Sequence, residues 1–217
     1  MELLAVTDDA VEQFSADIPE LMWSTGPISY EYHFGTRELL NAVALGSWRH
    51  RGSLFGFDAA TVAVEDGRFM GVEIGMNGAE YRDRQAALGP VWQKLIADGD
   101  IDRDVIPGVL QRSDHASWLN PVIHADTYYV HALAVKPEFR GKRVGYQLID
   151  GAIKRAKSFG NGGYAAISGL PHITIPAYQI DGYPVGVSVI GRPWEDLLVL
   201  QVAAVLETFF RGRFPES

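Results

Sequence analysis

Cysteine is absent from the 217 residues. Disulfides, thiolate nucleophiles and zinc–thiolate centres are thereby excluded. An excess of basic charge is also missing: 19 Lys and Arg stand against 27 Asp and Glu, a formal net charge of −8. A broad phosphate-binding surface needs clustered Lys and Arg, so a nucleic-acid partner is not expected. There is no long apolar run. The most apolar stretch, near 197–210, is broken by Gln201, Glu207 and Thr208, so no membrane span is expected. The first nine residues lack the basic cluster of a signal peptide, and a cytoplasmic location is the default expectation.

What is present is an ordinary globular composition. The apolar fraction is 47% and the charged fraction 21%, enough to build a core. The length suits one large domain, or one domain with an appendage.

Periodicity places the elements. Val11, Phe14 and Ile18 predict a helix over 8–21, disturbed at its end by Pro19. Thr36 is placed to cap a second helix over 36–44. Val62 and Val64 alternate with Thr61 and Ala63, and Asp66-Gly67 stands as a turn signal between 60–65 and 68–74, which predicts a hairpin. Residues 77–120 read as polar and loop-rich with a helical piece near 85–96, a functional segment or an insertion. Tyr-Tyr-Val-His-Ala-Leu-Ala-Val at 128–135 reads as a buried strand ended by Pro137. An amphipathic helix is expected over 145–159, ended by Gly160 and Asn161-Gly162-Gly163. Strands at 172–177 and 185–190, with Asp181-Gly182 between them, precede a last helix over 194–210. This order predicts an α/β (α+β) fold, a mixed sheet with helices on both faces.

One turn carries chemistry. Between the strand and the helix run Arg140, Gly141, Lys142, Arg143, Val144 and Gly145. Unsatisfied N–H groups at a helix N-terminus favour an anion, and glycine lets the backbone approach it. Three basic side chains add charge in an otherwise acidic chain. The residues alone fit a pyrophosphate cradle and a basic surface turn equally.

The segment from Val130 to Gly160 resembles motif A of the GNAT superfamily of N-acetyltransferases. That motif is Arg or Gln, two residues, Gly, one residue, then Gly or Ala, and Leu133-Ala134-Val135-Lys136-Pro137-Glu138-Phe139-Arg140-Gly141 resembles the approach to it. The hairpin over 61–74 resembles the family's second and third strands. The resemblance covers residues 1–160. It implies a mostly antiparallel sheet and acetyl-CoA as co-substrate, attacked directly by an amine. It implies that backbone N–H groups of 141–145 hold the pyrophosphate. A main-chain N–H near Leu133 or Val135, flanking Ala134, would polarise the thioester. One residue departs from the pattern: Arg143 stands at the motif's first glycine, which is tolerable if the backbone there is helical and lowers affinity if the position needs close backbone approach.

An incoming ammonium must lose a proton. His131, on the strand, is a candidate base or a core histidine. Glu73, which interrupts an apolar strand, is a base, an amine anchor or an outward-facing residue. Asp114, His115, His124 and Asp126 are candidates to shape the acceptor site. So are Trp23, Tyr30, Tyr32 and His33. The resemblance implies a tyrosine that protonates the departing thiolate. Tyr178 and Tyr183 fall at about the right distance, though without the family's usual surroundings.

After residue 160 the pattern changes. Gly169-Leu170-Pro171, Thr174-Ile175-Pro176-Ala177 and Gly182-Tyr183-Pro184-Val185-Gly186 resemble the C-terminal end of amidase-signature hydrolases. None of that family's catalytic lysine and serines has a counterpart upstream. The expectation is a fusion: an acetyl-CoA-binding domain over 1–160 and an amidase-like segment over 161–217. Its hairpin and helix are expected to complete the sheet beside 128–135. The function expected is acetyl transfer to a small-molecule or peptide amine. A non-catalytic acyl-CoA-binding module and an amidase-like remnant are the alternatives. Members of the GNAT family are often dimers, and a homodimer is open.

Overall fold

The computed structural model describes residues 1–117, 123–159, 163–166, 172–180, 183–190 and 196–213. The chain divides into two compact units, Met1–Ser168 and Gly169–Ser217.

The first unit is a five-stranded sheet flanked by helices. Its strands are β1 (Glu2–Ala5), β2 (Ala60–Glu65), β3 (Arg68–Asn77), β4 (Thr127–Val135) and β5 (Gly163–Ala166), in spatial order 1-2-3-4-5. Neighbours are antiparallel except β4 and β5, which run parallel. The β2–β3 hairpin turns on Asp66 and Gly67, both left-handed (φ 50° and 74°). That geometry matches the twist of the flanking strands.

Four helices lie between β1 and β2: α1 (Val11–Ser15), α2 (Ile18–Thr25), α3 (Pro27–Phe34) and α4 (Arg37–Trp48). Instead of one helix over 8–21 there are two. Pro19 sits in the first turn of α2, where its missing N–H costs nothing, so it starts a helix instead of ending one. Thr36 caps α4, its Oγ1 accepting from the Leu39 N–H at 3.2 Å. Trp48 is fully buried and its Nε1–H donates to the Val11 carbonyl at 3.1 Å, pinning α4 to α1.

Residues 77–117 are more helical than their polarity suggests. They hold α5 (Tyr81–Ala86), α6 (Leu88–Asp98) and α7 (Ile106–His115). Val91 and Leu95 of α6 bury against Leu39 and Val43 of α4 and Val109 of α7. Gly99 ends α6 in the left-handed conformation, and the Asp100 N–H closes back onto the Leu95 carbonyl.

The sheet buries both faces by strand alternation. Val62, Val72, Ile74, Tyr129, Ala132 and Ala134 join the residues of α1, α2 and α4. Ala63 and Met70 face the opposite side, with Val144 and Leu148 of α8 (Val144–Ser158).

The second unit is a hairpin, β6 (His172–Ile180) and β7 (Tyr183–Ile190), with helix α9 (Asp196–Arg213) against it. Here the expectation from sequence needs correction. The hairpin forms its own two-stranded sheet, and it is β5 that lies beside β4. Four residues, Gly-Tyr-Ala-Ala, are too few to stand out as a strand from pattern alone. The Gly160-Asn161-Gly162, Gly169-Leu170-Pro171 and Asp181-Gly182 elements lie outside the described residues.

Candidate functional site

The loop between β4 and α8 starts with a 3-10 turn over Pro137–Phe139. Phe139 is buried against Val144 and Leu148, which anchors the loop to the underside of α8. Gly141 then takes φ 78° and Arg143 φ 63°. Two left-handed residues bracketing Lys142 fold the backbone tightly before the helix begins. The N-cap of α8 is Arg143, and no side chain caps it. The first-turn N–H groups are therefore left for a ligand, the arrangement that suits a phosphate. The Arg140 Nε–H donates to the Val135 carbonyl at 3.1 Å, while the side chain stays exposed. Lys142 lies 5.2 Å from the Phe139 ring centroid. All nine residues expected to contact the cofactor (Leu133, Ala134, Val135 and 140–145) lie on this strand–turn–helix unit.

The expectation about Arg143 is corrected. Its backbone is left-handed, not helical, so the glycine of the motif has a conformational reason. A side chain there costs ~1–2 kcal/mol, partly offset by the greater freedom glycine would have when unfolded. Arg143→Gly is expected to stabilise the protein by about 1 kcal/mol, read as a shift in urea midpoint at constant slope. At Gly145 an added Cβ would meet Leu133 Cδ2 and Val135 Cγ2 at 3.7 Å, ordinary contact. Alanine fits there, as the motif allows.

The β4 strand opens towards this turn. Its pairing with β5 covers Thr127 to Val130 only. On the other edge β3 pairs up to Val135, but the register slips: Ile74 faces Ala132 while Gly75 faces Val130. His131 is the extra residue of a β-bulge, a device that re-aims a side chain. Its ring lies 4.8 Å from that of Phe55 and 5.6 Å from that of Tyr129. Nδ1 shares a hydrogen bond with the Tyr129 hydroxyl at 3.2 Å. Nε2 is buried and has no partner among the described residues. Burial alone pulls the imidazole down to about 4, so it is neutral at physiological pH.

Glu73 is elsewhere. It is fully buried, on the face of β3 that α8 covers. Tyr128 donates its O–H to Oε1 at 3.2 Å, and Arg155 of α8 donates from Nη2 to Oε2. The Arg155 Nε–H also donates to the Tyr128 oxygen at 3.0 Å. Desolvation raises the Glu73 carboxyl to about 7, against the opposing pull of Arg155 and Tyr128. A carboxylate in the middle of a strand reads as outward-facing; this one points inward because a cation reaches it from the helix above.

The remaining candidates are scattered. Tyr32 and His115 share a hydrogen bond of 2.5 Å across α3 and α7, on the surface. His33 Nδ1 is bonded to the Ser29 carbonyl, and Trp23 lies under Arg37. The His124 carbonyl accepts from Thr127, and Asp114 and Asp126 are exposed. Tyr178 and Tyr183 lie on β6 and β7, with side chains outside the described residues. Tyr30 acts on Tyr129, as does Tyr81, and the sequence pattern singles out neither Tyr81 nor Tyr129. Tyr81 meets Tyr129 edge-on at 5.4 Å, and the Tyr81 and Tyr30 hydroxyls both push that of Tyr129 further upward, after burial. Among the described residues no group of His, Asp and Glu is arranged to hold a metal ion, and no helix is long and apolar enough to cross a membrane.

Residues 108–183 match the acetyltransferase (GNAT) family. The match covers α7, β4, the turn, α8, β5 and β6. It runs past residue 160 into the segment with amidase-like elements. One solved structure, described as that of an acetyltransferase, is similar with a TM-score of 0.50 and 15% identity, over 81% of each chain. An N-acetyltransferase from Staphylococcus aureus Mu50 gives a TM-score of 0.49 and 14% identity, over 88% of this chain and 100% of that one. At 15% identity the first likeness is one of fold. Short stretches resemble two amidase-signature proteins. A fatty acid amide hydrolase of Medicago truncatula is 48% identical over 44 residues, 20% of this chain and 7% of that protein. A glutamyl-tRNA(Gln) amidotransferase subunit from Dehalococcoides mccartyi is 49% identical over 37 residues, 17% of this chain and 8% of that protein. The chain thus spans less than a tenth of the length of these relatives.

Proposed function

We propose, from the match of residues 108–183 to the acetyltransferase (GNAT) family, that the chain transfers an acetyl group from acetyl-CoA to a primary amine. The observation that carries this reading is the uncapped N-terminus of α8, entered through the left-handed pair Gly141 and Arg143 and flanked by Arg140 and Lys142. The pyrophosphate rests on the N–H groups of 141–145. The pantetheine arm runs along the edge of β4 beyond Val130, where pairing with β5 stops. A main-chain N–H near Leu133 or Val135 takes the charge that develops on the thioester oxygen.

The amine nitrogen attacks the thioester carbon, the C–S bond breaks, and the thiolate leaves and is protonated. His131 accepts the amine proton, directly or through water. It is held neutral, one nitrogen is fixed by Tyr129, and the other has no partner among the described residues. Its low basicity makes it a modest base. Glu73 is not used: both oxygens are enclosed and bonded. Protonation of the departing thiolate is left to solvent.

The test is thermal shift with acetyl-CoA, followed by thiol release with a panel of amines. Acetyl-CoA raises the melting temperature, and Arg140→Ala weakens its binding about tenfold, the value of one charge-assisted contact of ~1.4 kcal/mol. His131→Gln keeps cofactor binding and lowers kcat about a hundredfold. Absence of any acetyl-CoA stabilisation would sink the proposal. Stabilisation without thiol release would leave the chain a binding module.

A further inference from the structure

Arg143 replaces the glycine of the motif yet keeps a backbone, φ 63°, that glycine alone adopts freely. Its side chain is exposed and meets no carboxylate among the described residues. No contact within the protein compensates the strain. Two further cations stand in the same condition. Arg68, the first residue of β3, places its guanidinium carbon 4.8 Å from the centroid of the Phe139 ring. Lys142 places Nζ 5.2 Å from that centroid. The two charges are thus at most about 10 Å apart, a Debye length at roughly 0.1 M salt. The ring between them is fixed, since Phe139 is buried against Val144 and Leu148 of α8.

Like charges gathered around one ring repel, and a neighbouring carboxylate would relieve them. None does so among the described residues. Glu65, which faces Arg68 across the hairpin, is bonded to the Met1 amino group at 3.2 Å. Asp17 is taken by Lys136 at 2.7 Å. Asp66 and Glu138 are exposed and pair with none of the three cations. Arg140 is set apart from them, its Nε–H tied to the Val135 carbonyl at the end of β4. In a chain of net charge −8, cations left without a counter-charge in one place suit an anion from outside. The pyrophosphate does not account for them, because it is served by main-chain N–H groups of 141–145, and Arg68 is no part of that turn.

On the reading of the chain as an acetyl-CoA-dependent enzyme, we propose that Arg68, Lys142 and Arg143 hold the 3′-phosphate of coenzyme A. They thereby make the chain select the full cofactor over forms that lack this group. The 3′-phosphate is a phosphomonoester, with a charge of about −1.5 to −2 at neutral pH and three acceptor oxygens. Three cations from two segments match that charge, and each guanidinium offers a planar fork of donors to the oxygens. The departure of Arg143 from the motif then has a use: it exchanges backbone comfort for a charge on the cofactor.

Isothermal titration of the full chain with acetyl-CoA and with 3′-dephospho-acetyl-CoA tests this without an acceptor. Exposed charge contacts are worth about threefold to fivefold each. Acetyl-CoA is therefore expected to bind about thirtyfold more tightly at low salt, and the preference is expected to shrink in ~0.5 M KCl. Arg68→Ala and Arg143→Gly are each expected to lower the ratio of the two Kd values about threefold to fivefold. A merely structural role would weaken both ligands alike and leave the ratio as it was. Arg143→Gly is also the variant expected to gain stability, so a preference lost there is not a sign of unfolding. Equal affinities for the two ligands overturn the inference while leaving acetyl-CoA binding intact. So does a preference that neither substitution alters. Failure to bind either ligand overturns the underlying reading itself.

Discussion

Replacing Arg155 by methionine is expected to destabilise the protein by about 3–5 kcal/mol at pH 8. The partner, Glu73, is fully enclosed between β3 and α8, while the Arg155 side chain keeps 30% of its surface in solvent. The arginine reaches inward with its guanidinium and neutralises a charge that has no water. Methionine retains much of the apolar stem but removes that charge. The carboxylate is left with one hydrogen bond, from Tyr128. Val144 and Leu148 hold the first half of α8 independently, both essentially fully buried. The cradle at the helix N-terminus therefore suffers less than global stability does. Urea denaturation of the two proteins at pH 8 checks this. Equal midpoints would mean that Glu73 carries no charge in the native state.

The same carboxyl sets a pH dependence of known sign. Its folded value is raised from 4.5 to about 7, mainly by burial. Between those limits the folded chain holds a proton that the unfolded chain has released, so stability falls as pH rises through this window. At ~1.4 kcal/mol per pH unit the fall amounts to roughly 3 kcal/mol. The penalty is absent below the unfolded value and complete above the folded one. In the Arg155→Met protein the carboxyl is pushed higher still, and at pH 5 the variant recovers part of its deficit by staying protonated.

These effects are hidden in the sequence for a simple reason. Glu73 and Arg155 are 82 residues apart, and a lone carboxylate in a strand pattern usually faces water. Other features are legible because their cause is local. Asp66-Gly67 fixes a left-handed turn between alternating strands. Thr36 sits three residues before the Leu39 N–H that it caps. The basic, glycine-containing turn ahead of α8 lies within six residues. Illegible is anything that depends on a partner elsewhere. The ring contact of Tyr81 with Tyr129 is such a case, since both look like ordinary core tyrosines until α5 is laid against β4. Arg143 is intermediate. Its departure from the motif is visible in the sequence, but only the structure gives it a φ of 63°. The β5 strand escapes notice for want of length, yet its four residues hold the place beside β4 that the pattern offers to the C-terminal hairpin.

Gly75→Ala is the second large effect, and a single methyl group produces it. Residues 71, 73 and 75 of β3 share the face beneath α8, and two of the three are glycines. A Cβ at Gly75 would fall on Glu73 Oε1 and 2.5 Å from the Tyr128 oxygen, with Tyr128 Cε1 at 2.7 Å. Real side chains do not approach so closely, and neither neighbour is free to swing away. Tyr128 is buried, its ring stacks with that of Phe159 at 6.2 Å, and its hydroxyl lies between Glu73 and Arg155. Relief requires the phenol to withdraw, which strips Glu73 of a donor and separates β4 from α8 at the same point. Overpacking of this kind costs ~1–3 kcal/mol, and the lost hydrogen bond to a buried charged group adds ~1.5–3 kcal/mol. A total of about 4 kcal/mol is expected. Truncating the opposing ring tests the cause: in a Tyr128→Phe background the alanine still meets the ring but no longer costs the hydrogen bond. Its penalty should then fall by about half in urea midpoint measurements. An undiminished penalty would place the clash in the β3 backbone instead of in the Glu73–Tyr128–Arg155 cluster.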